Sequence, residues 1–261
     1  MEKKVIIIEE NKQQAELFAN YLKGKSYEVR LLDNPEQCLD MLAKEIIDIL
    51  VMNIYLPFSL SLCRTLKNDP KHTNITIVLI TPKEAIKEIT SGIKAGVYNF
   101  IVKSSEKEIS PEEIKIFHER VKVKGKKVFD LNFINFLIRL TTDGSREDFF
   151  IISEVIFNHL LLDRFKPVLG ETSIILIMKQ IQNILAKQYK FIGEVKFEDG
   201  RFSLYEVNKA SKDVSIRQLN LVLRDYIYAF VHMVRLLTSD ILIEHWDLDR
   251  KTWMKRYSRK I

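Results

Sequence analysis

Cysteine, tryptophan, proline and glycine are all scarce in this chain of 261 residues, which has 2 Cys, 2 Trp, 6 Pro and 8 Gly. Two cysteines, Cys38 and Cys63, suggest neither a disulfide framework nor a zinc site, so reduced thiols and a cytoplasmic location are expected. So little proline and glycine argues against collagen-like repeats and low-complexity disorder. Long hydrophobic runs are missing as well. The longest uncharged stretch, Ile49 to Cys63, contains Asn53 and Pro57 and falls short of the ~20 residues a membrane helix needs. The run Val5 to Ile8 is too short for a signal peptide, so no membrane partner is expected. There is no P-loop, no glycine-rich dinucleotide motif and no HExxH. The histidines His72, His118, His159, His232 and His245 are scattered, and His159 and His232 lie within apolar helical patterns. No metal site, cofactor or catalytic constellation is expected, and the chain reads as a non-enzyme.

What is present is an ordinary globular balance of 46% hydrophobic and 29% charged residues, with a net charge of +6. The charge is unevenly placed. Residues 1–110 carry 15 basic and 15 acidic side chains, so the whole excess lies beyond them. It gathers at Lys122, Lys124, Lys126 and Lys127, and in the tail from Arg250, where Trp253 and Tyr257 are interleaved. Basic and aromatic residues together can grip nucleic acid, but a solvated linker and a frayed terminus explain them more simply.

The first half alternates strand and helix patterns. Val5–Ile8, Tyr27–Leu31, Ile49–Met52, Ile75–Ile80 and Tyr98–Val102 read as strands. Asn11, Asn34-Pro35, Pro57, Pro82 and Pro111 open the intervening helices. Such alternation predicts a parallel sheet covered on both faces, with function beyond the carboxyl ends of its strands. Those ends carry Glu9, Glu10, Asn53, Thr81 and Lys103, which would converge on one rim.

The segments KKVIIIEEN, DILVMNIYLP, IVLIT and GVYNFIVKS, in this order and spacing, make residues 3–121 resemble the receiver domain of bacterial response regulators. The resemblance implies a doubly wound, flavodoxin-like α/β fold. It places Glu9 and Glu10 on the acidic pair that holds Mg²⁺, and Asn53 on the phosphoacceptor position. Thr81 and Lys103 fall on the phosphoryl contacts, and Phe100 on the switch aromatic. Four departures matter. Asn53 has no anionic oxygen to attack phosphorus. Glu9 and Glu10 are each a methylene longer than aspartate. Ser104 stands where proline is usual, and Phe58-Ser59-Leu60 lacks the glycine common after the third strand. The resemblance therefore implies a degenerate receiver that works without phosphorylation, in which Lys103 is expected to pair directly with Glu9 and Glu10.

Residues 122–127 read as a basic linker and 128–261 as a mostly helical domain with one hairpin at 191–207. Helices are expected over Leu131–Leu140, from Ser145 to about Asp163, and after a Thr172 or Ser173 cap, with Pro167 and Gly170 breaking the second from the third. In the hairpin, Asp199-Gly200 is the turn, pairing Glu198 with Arg201, Phe197 with Phe202 and Val195 with Leu204. From Val214 to Ile243, apolar residues repeat every seven positions: Ile216, Leu223, Phe230 and Leu237, with Ile227, Val234 and Ile241 as a second series. Asn220 falls at a polar position of this pattern. It reads equally as a dimer seam or as a helix lying along its own domain's core.

The leading expectation is an atypical signalling protein acting through protein partners, with the helical half dimerising or offering a second surface. The alternative is a transcription regulator in which 172–189 is the recognition helix of a winged helix. That helix begins with apolar Ile174-Ile175-Leu176-Ile177-Met178, which suits a core better than base edges.

Overall fold

The computed structural model describes residues 2–72, 74–82, 85–97, 99–103, 109–122, 129–142, 144–237 and 243–244. Ser104, the Lys124–Lys127 part of the linker, Ile241, His245 and the basic tail lie outside them. The chain divides into two compact units, Met1–Lys124 and Gly125–Ile261.

In the first unit, strands β1 (Lys3–Ile8), β2 (Tyr27–Leu32), β3 (Ile49–Asn53), β4 (Thr76–Pro82) and β5 (Asn99–Lys103) form one sheet in the order β2-β1-β3-β4-β5. All neighbours are parallel. Helices α1 (Lys12–Lys23), α2 (Glu36–Leu42), α3 (Ser59–Asn68), α4 (Ile86–Lys94) and α5 (Pro111–Lys122) alternate with them. This is the expected doubly wound arrangement. Its cause is visible in the strands: parallel strands covered on both faces need continuous apolar runs, and Val5 to Ile8 and Ile49 to Met52 are fully buried. Val5, Ile7, Val51, Val78 and Ile80 pack with Phe18 and Leu22 of α1 and Ile114 and Phe117 of α5. The alternate residues Ile6, Ile8, Leu50, Met52 and Leu79 are buried on the opposite face.

Local chemistry sets the helix starts. The Asn11 side chain accepts from Gln14 N–H at 3.1 Å and Asn34 from Gln37 N–H at 3.1 Å. Gly92 of α4 lies in close approach to the side chains of β4 and β5. A Cβ there would lie 2.9 Å from Leu79 Cδ1 and 3.0 Å from Phe100 Cε1.

In the second unit, a two-residue strand β6 (Phe129–Asp130) leads into α6 (Leu131–Thr142). After it comes α7 (Arg146–Val155), capped by Ser145 in a reciprocal box with Asp148. The chain then widens into a π-helical turn, Ile156–Leu162, and continues as α8 (Asp163–Leu169). Pro167 therefore lies inside a helix, and the break comes at Gly170, whose φ of 77° suits glycine. Gly170 is also the cap residue of α9 (Glu171–Ala186), two or three residues ahead of the expected Thr172 or Ser173 cap.

The hairpin is shorter than the expected 191–207. Lys190–Glu194 is a 3₁₀ turn, and only β7 (Lys196–Glu198) and β8 (Arg201–Ser203) pair. Phe197 faces Phe202 and Glu198 faces Arg201, as the turn dictates, with φ of 51° at Asp199 and 74° at Gly200. Pairing stops at Lys196 and Ser203, so Val195 and Leu204 are not strand partners. Helices α10 (Tyr205–Ala210) and α11 (Ile216–Leu237) follow, and a short strand β9 (Ile243–Glu244) pairs in parallel with β6.

Of the two readings of the seven-residue repeat, α11 follows the one in which the helix lies along its own domain's core. Leu223, Ile227, Phe230 and Val234 are at most 4% exposed within this single chain. Leu219, Val222, Tyr226 and Val231 are buried as well, with the polar Asn220 and Asp225, so the helix is buried over most of its surface and packs at the centre of its own domain. Tyr226 Oη donates to Met178 O of α9 at 2.6 Å, and Thr141 Oγ1 of α6 donates to Asn220 Oδ1 at 2.6 Å. Ile216 is half-buried and Leu237 is exposed, while Ile241 lies outside the described residues. Over its buried part, from Leu223 to Val234, the seven-residue repeat thus records packing against α6, α7 and α9.

Candidate functional site

Four strand ends bring polar side chains to the carboxyl edge of the sheet. Glu9 follows β1, Asn53 ends β3, Thr81 lies near the end of β4, and Lys103 ends β5. Register holds them level, with Asn53 opposite Ile80, and Pro82, next to Thr81, opposite Lys103. The sequence-derived rim is therefore assembled, with Glu10 exposed at its lip.

The bonds within it are not those expected. Glu9 is buried; its Oε1 accepts from Asn11 N–H at 3.1 Å and its Oε2 from Asn53 Nδ2 at 3.4 Å. Asn53 Oδ1 in turn accepts from Tyr55 N–H at 3.1 Å. The amide is held at both ends, donating to an acid and accepting from the backbone, which a carboxylate could not do. Thr81 is fully buried and its hydroxyl donates to Pro82 O at 3.2 Å. Lys103, only 9% exposed, donates from Nζ to Gln14 Oε1 at 3.2 Å. Among the described residues no carboxylate is within ion-pair distance of Lys103, which corrects the expected pairing with Glu9 and Glu10. The reason is geometric: Gln14 lies in the first turn of α1, is buried, and reaches the amine first.

Gln14 is the member of the site that sequence reasoning missed. Its signal was its place four residues before Phe18 on the inward face of α1, where a polar residue needs a partner. Phe100, by contrast, is buried against α4 beside Gly92. Phe58 occupies the left-handed region at φ 64° in the β3–α3 loop, and the residue is 65% exposed. That is where the missing glycine would have relieved strain.

The family model for the response regulator receiver domain matches residues 5–115. Residues 5–115 form a response regulator receiver domain. Curated relatives include Response regulator PleD of Caulobacter vibrioides, 26% identical over 105 residues, which are 40% of this chain and 23% of PleD. Regulatory protein VanR of Enterococcus faecium is 28% identical over 105 residues, or 40% of this chain and 44% of VanR. The chain thus spans less than half the length of these relatives. Among solved structures, a putative response regulator from Chloroflexus aurantiacus aligns with a TM-score of 0.42 at 23% identity, covering 46% of this chain and 98% of that one.

The receiver fold implies Mg²⁺ beside the acidic pair, and the residues present do not fit it. Both Glu9 oxygens are taken by N–H donors, and an amide stands where a third anionic ligand would be. Among the described residues no group of three His, Cys, Asp or Glu side chains is placed to hold a metal ion. The receiver's two thiols are structural: Cys38 and Cys63 are buried, and burial pushes each up to about 12, so both stay protonated and unreactive near neutrality. No helix among the described residues is long and apolar enough to cross a membrane.

Proposed function

We propose that this chain is an atypical response-regulator-like signalling protein whose receiver domain works without phosphorylation and acts by binding a protein partner. The observation that carries the reading is the amide at Asn53, fixed between Glu9 and the Tyr55 backbone. An amide nitrogen and oxygen so engaged offer no nucleophile, so an acyl phosphate has no atom to form on. A second observation supports it: Lys103, the phosphoryl-contact position, already has Gln14 as its partner. Thr81 likewise donates to a backbone carbonyl. The pocket is thereby held in one arrangement by its own side chains, and the surface around it is presented continuously. On this reading the chain is a binding protein and not an enzyme.

The alternative, DNA binding through the second unit, has less support. In α9, Ile174, Ile177, Met178 and Ile181 are buried, and the wing would consist of two strands of three residues each. A duplex-binding reading helix needs polar side chains free at its N-terminal end.

Incubation of the full chain with acetyl phosphate and Mg²⁺, followed by mass spectrometry, tests the proposal. The expected result is an unchanged mass and unchanged partner capture. Addition of one phosphate mapped to residues 49–58 would overturn it.

A further inference from the structure

The second unit holds a small pocket of about 20 Å³, partly open at the surface, between α7, its π-helical continuation, the 3₁₀ turn, α10 and α11. Phe150, Phe157, Val207, Leu219 and Val222 are among its lining residues. Two lining residues carry side-chain hydroxyls, and both are turned to backbone. Ser153 Oγ donates to Phe149 O at 2.7 Å, and Tyr226 Oη to Met178 O at 2.6 Å. A void of ~10–15 Å³ is room enough for one water, but a water needs two to four polar partners. The lining exposes no polar surface to such a water.

The walls are also fixed from behind, which explains why the space has not closed. Asn158 donates to Phe202 O at 2.8 Å and accepts from Phe202 N–H at 2.7 Å, tying the π-helical turn to the hairpin. Gln182 Nε2 donates to Gly193 O at 2.8 Å and Val195 O at 2.9 Å, holding the 3₁₀ turn. Phe191, on that turn, is the lining residue that is partly exposed, so it marks the way in. A preformed, aromatic-walled space that offers water no polar partner favours an apolar guest over a polar one.

We propose that this cavity is a binding site for a small apolar molecule, of the size of xenon or dioxygen. It accepts the guest by contact with ring faces and methyl groups and rejects polar molecules of the same size, because no donor or acceptor faces inward. The site belongs to the second unit and does not depend on how the receiver pocket works.

Methyl-resolved NMR of the full chain under increasing xenon pressure tests it. The expected result is saturating shifts of the Val207, Leu219 and Val222 methyl signals, with Val5 and Val78 of the first unit unmoved. Val207→Phe, which fills the space, should abolish the shifts. If its melting curve shows that it does not fold, Val207→Ile should reduce them instead. Shifts that do not saturate, shifts that persist in the filled variant, or a bound water detected in the cavity would each overturn the proposal.

Discussion

The two units hold their polar groups in different ways. In the receiver domain five polar side chains gather at one rim, where Glu9, Gln14, Asn53, Thr81 and Lys103 sit at or beside the sheet's carboxyl edge, while Thr90 and His118 are buried on helices α4 and α5. The sheet itself is stabilised by backbone ladders and apolar faces that do not need them. In the helical unit, polar side chains act as ties between elements. Arg146 alone donates to Asn208 Oδ1 at 3.0 Å, Val214 O at 3.0 Å, Ser211 O at 2.6 Å and Ser211 Oγ at 2.7 Å. Asn158 carries both backbone groups of Phe202. Polar residues in the first unit can therefore change with little loss of fold, and several depart from the receiver pattern. In the second unit the same kind of change should cost stability.

The strongest attack on this contrast is Arg146→Met. It removes the guanidinium that satisfies the α10–α11 connection and leaves several carbonyls without a donor. The second unit should lose about 3 kcal/mol, since hydrogen bonds from a charged donor are each worth ~1.5–3 kcal/mol and buried acceptors would be stranded. Urea unfolding followed by hydrogen exchange, read unit by unit, should show the loss in 125–261 with 1–124 unchanged. An equal loss in both units would break the comparison.

Asn158→Ala should cost about 2 kcal/mol by the same logic, because the hairpin backbone at Phe202 is buried and would lose both partners. Protection of the Phe202 amide against exchange should fall before that of α9.

A change at the receiver rim should go the other way. Phe58→Gly removes an exposed, left-handed non-glycine residue, and should raise the stability of the first unit by up to about 1 kcal/mol. A lower melting temperature in this variant would mean that the Phe58 ring makes a contact worth more than the strain.

The smallest effect concerns pH. The thiols of Cys38 and Cys63 rise on folding from an ordinary value of 9.0 to about 12. An acid whose neutral form is favoured in the folded state contributes stability that is fully present below pH 9 and is lost as pH climbs toward 12, because the unfolded chain ionises first. The urea midpoint of the receiver domain should decline over that window, and Cys63→Ala should flatten the decline. A midpoint that falls just as steeply in the variant would assign the alkaline loss to other groups.

Much of the receiver domain was legible in the sequence because its signals are local. Runs such as Val5–Ile8 and Ile49–Met52 suit only a strand buried on both faces, and Asn11 and Asn34 mark helix starts through their own side chains. The positions of Glu9, Asn53, Thr81 and Lys103 at strand ends followed directly. Their pairing did not. Lys103 and Gln14 are 89 residues apart in sequence, and the choice of Gln14 over Glu9 depends on how α1 seats on the sheet. The heptad on α11 was legible as a repeat, but a seven-residue spacing is the same whether the partner is a second copy or the chain's own helices. Likewise Pro167 looked like a break, yet the helix passes through it and stops at Gly170.

The sequence by itself determined the elements of the first unit, their order, the parallel sheet and the amide at the phosphoacceptor position, because each rests on residue type and short-range spacing. Only the tertiary structure decided which groups meet: Asn53 with Glu9, Lys103 with Gln14, α11 with α6, α7 and α9, and the apolar walls that line the pocket. Those outcomes depend on distances between elements far apart in the chain. Burial and hydrogen-bond satisfaction over the whole fold fix them, and no local pattern records them.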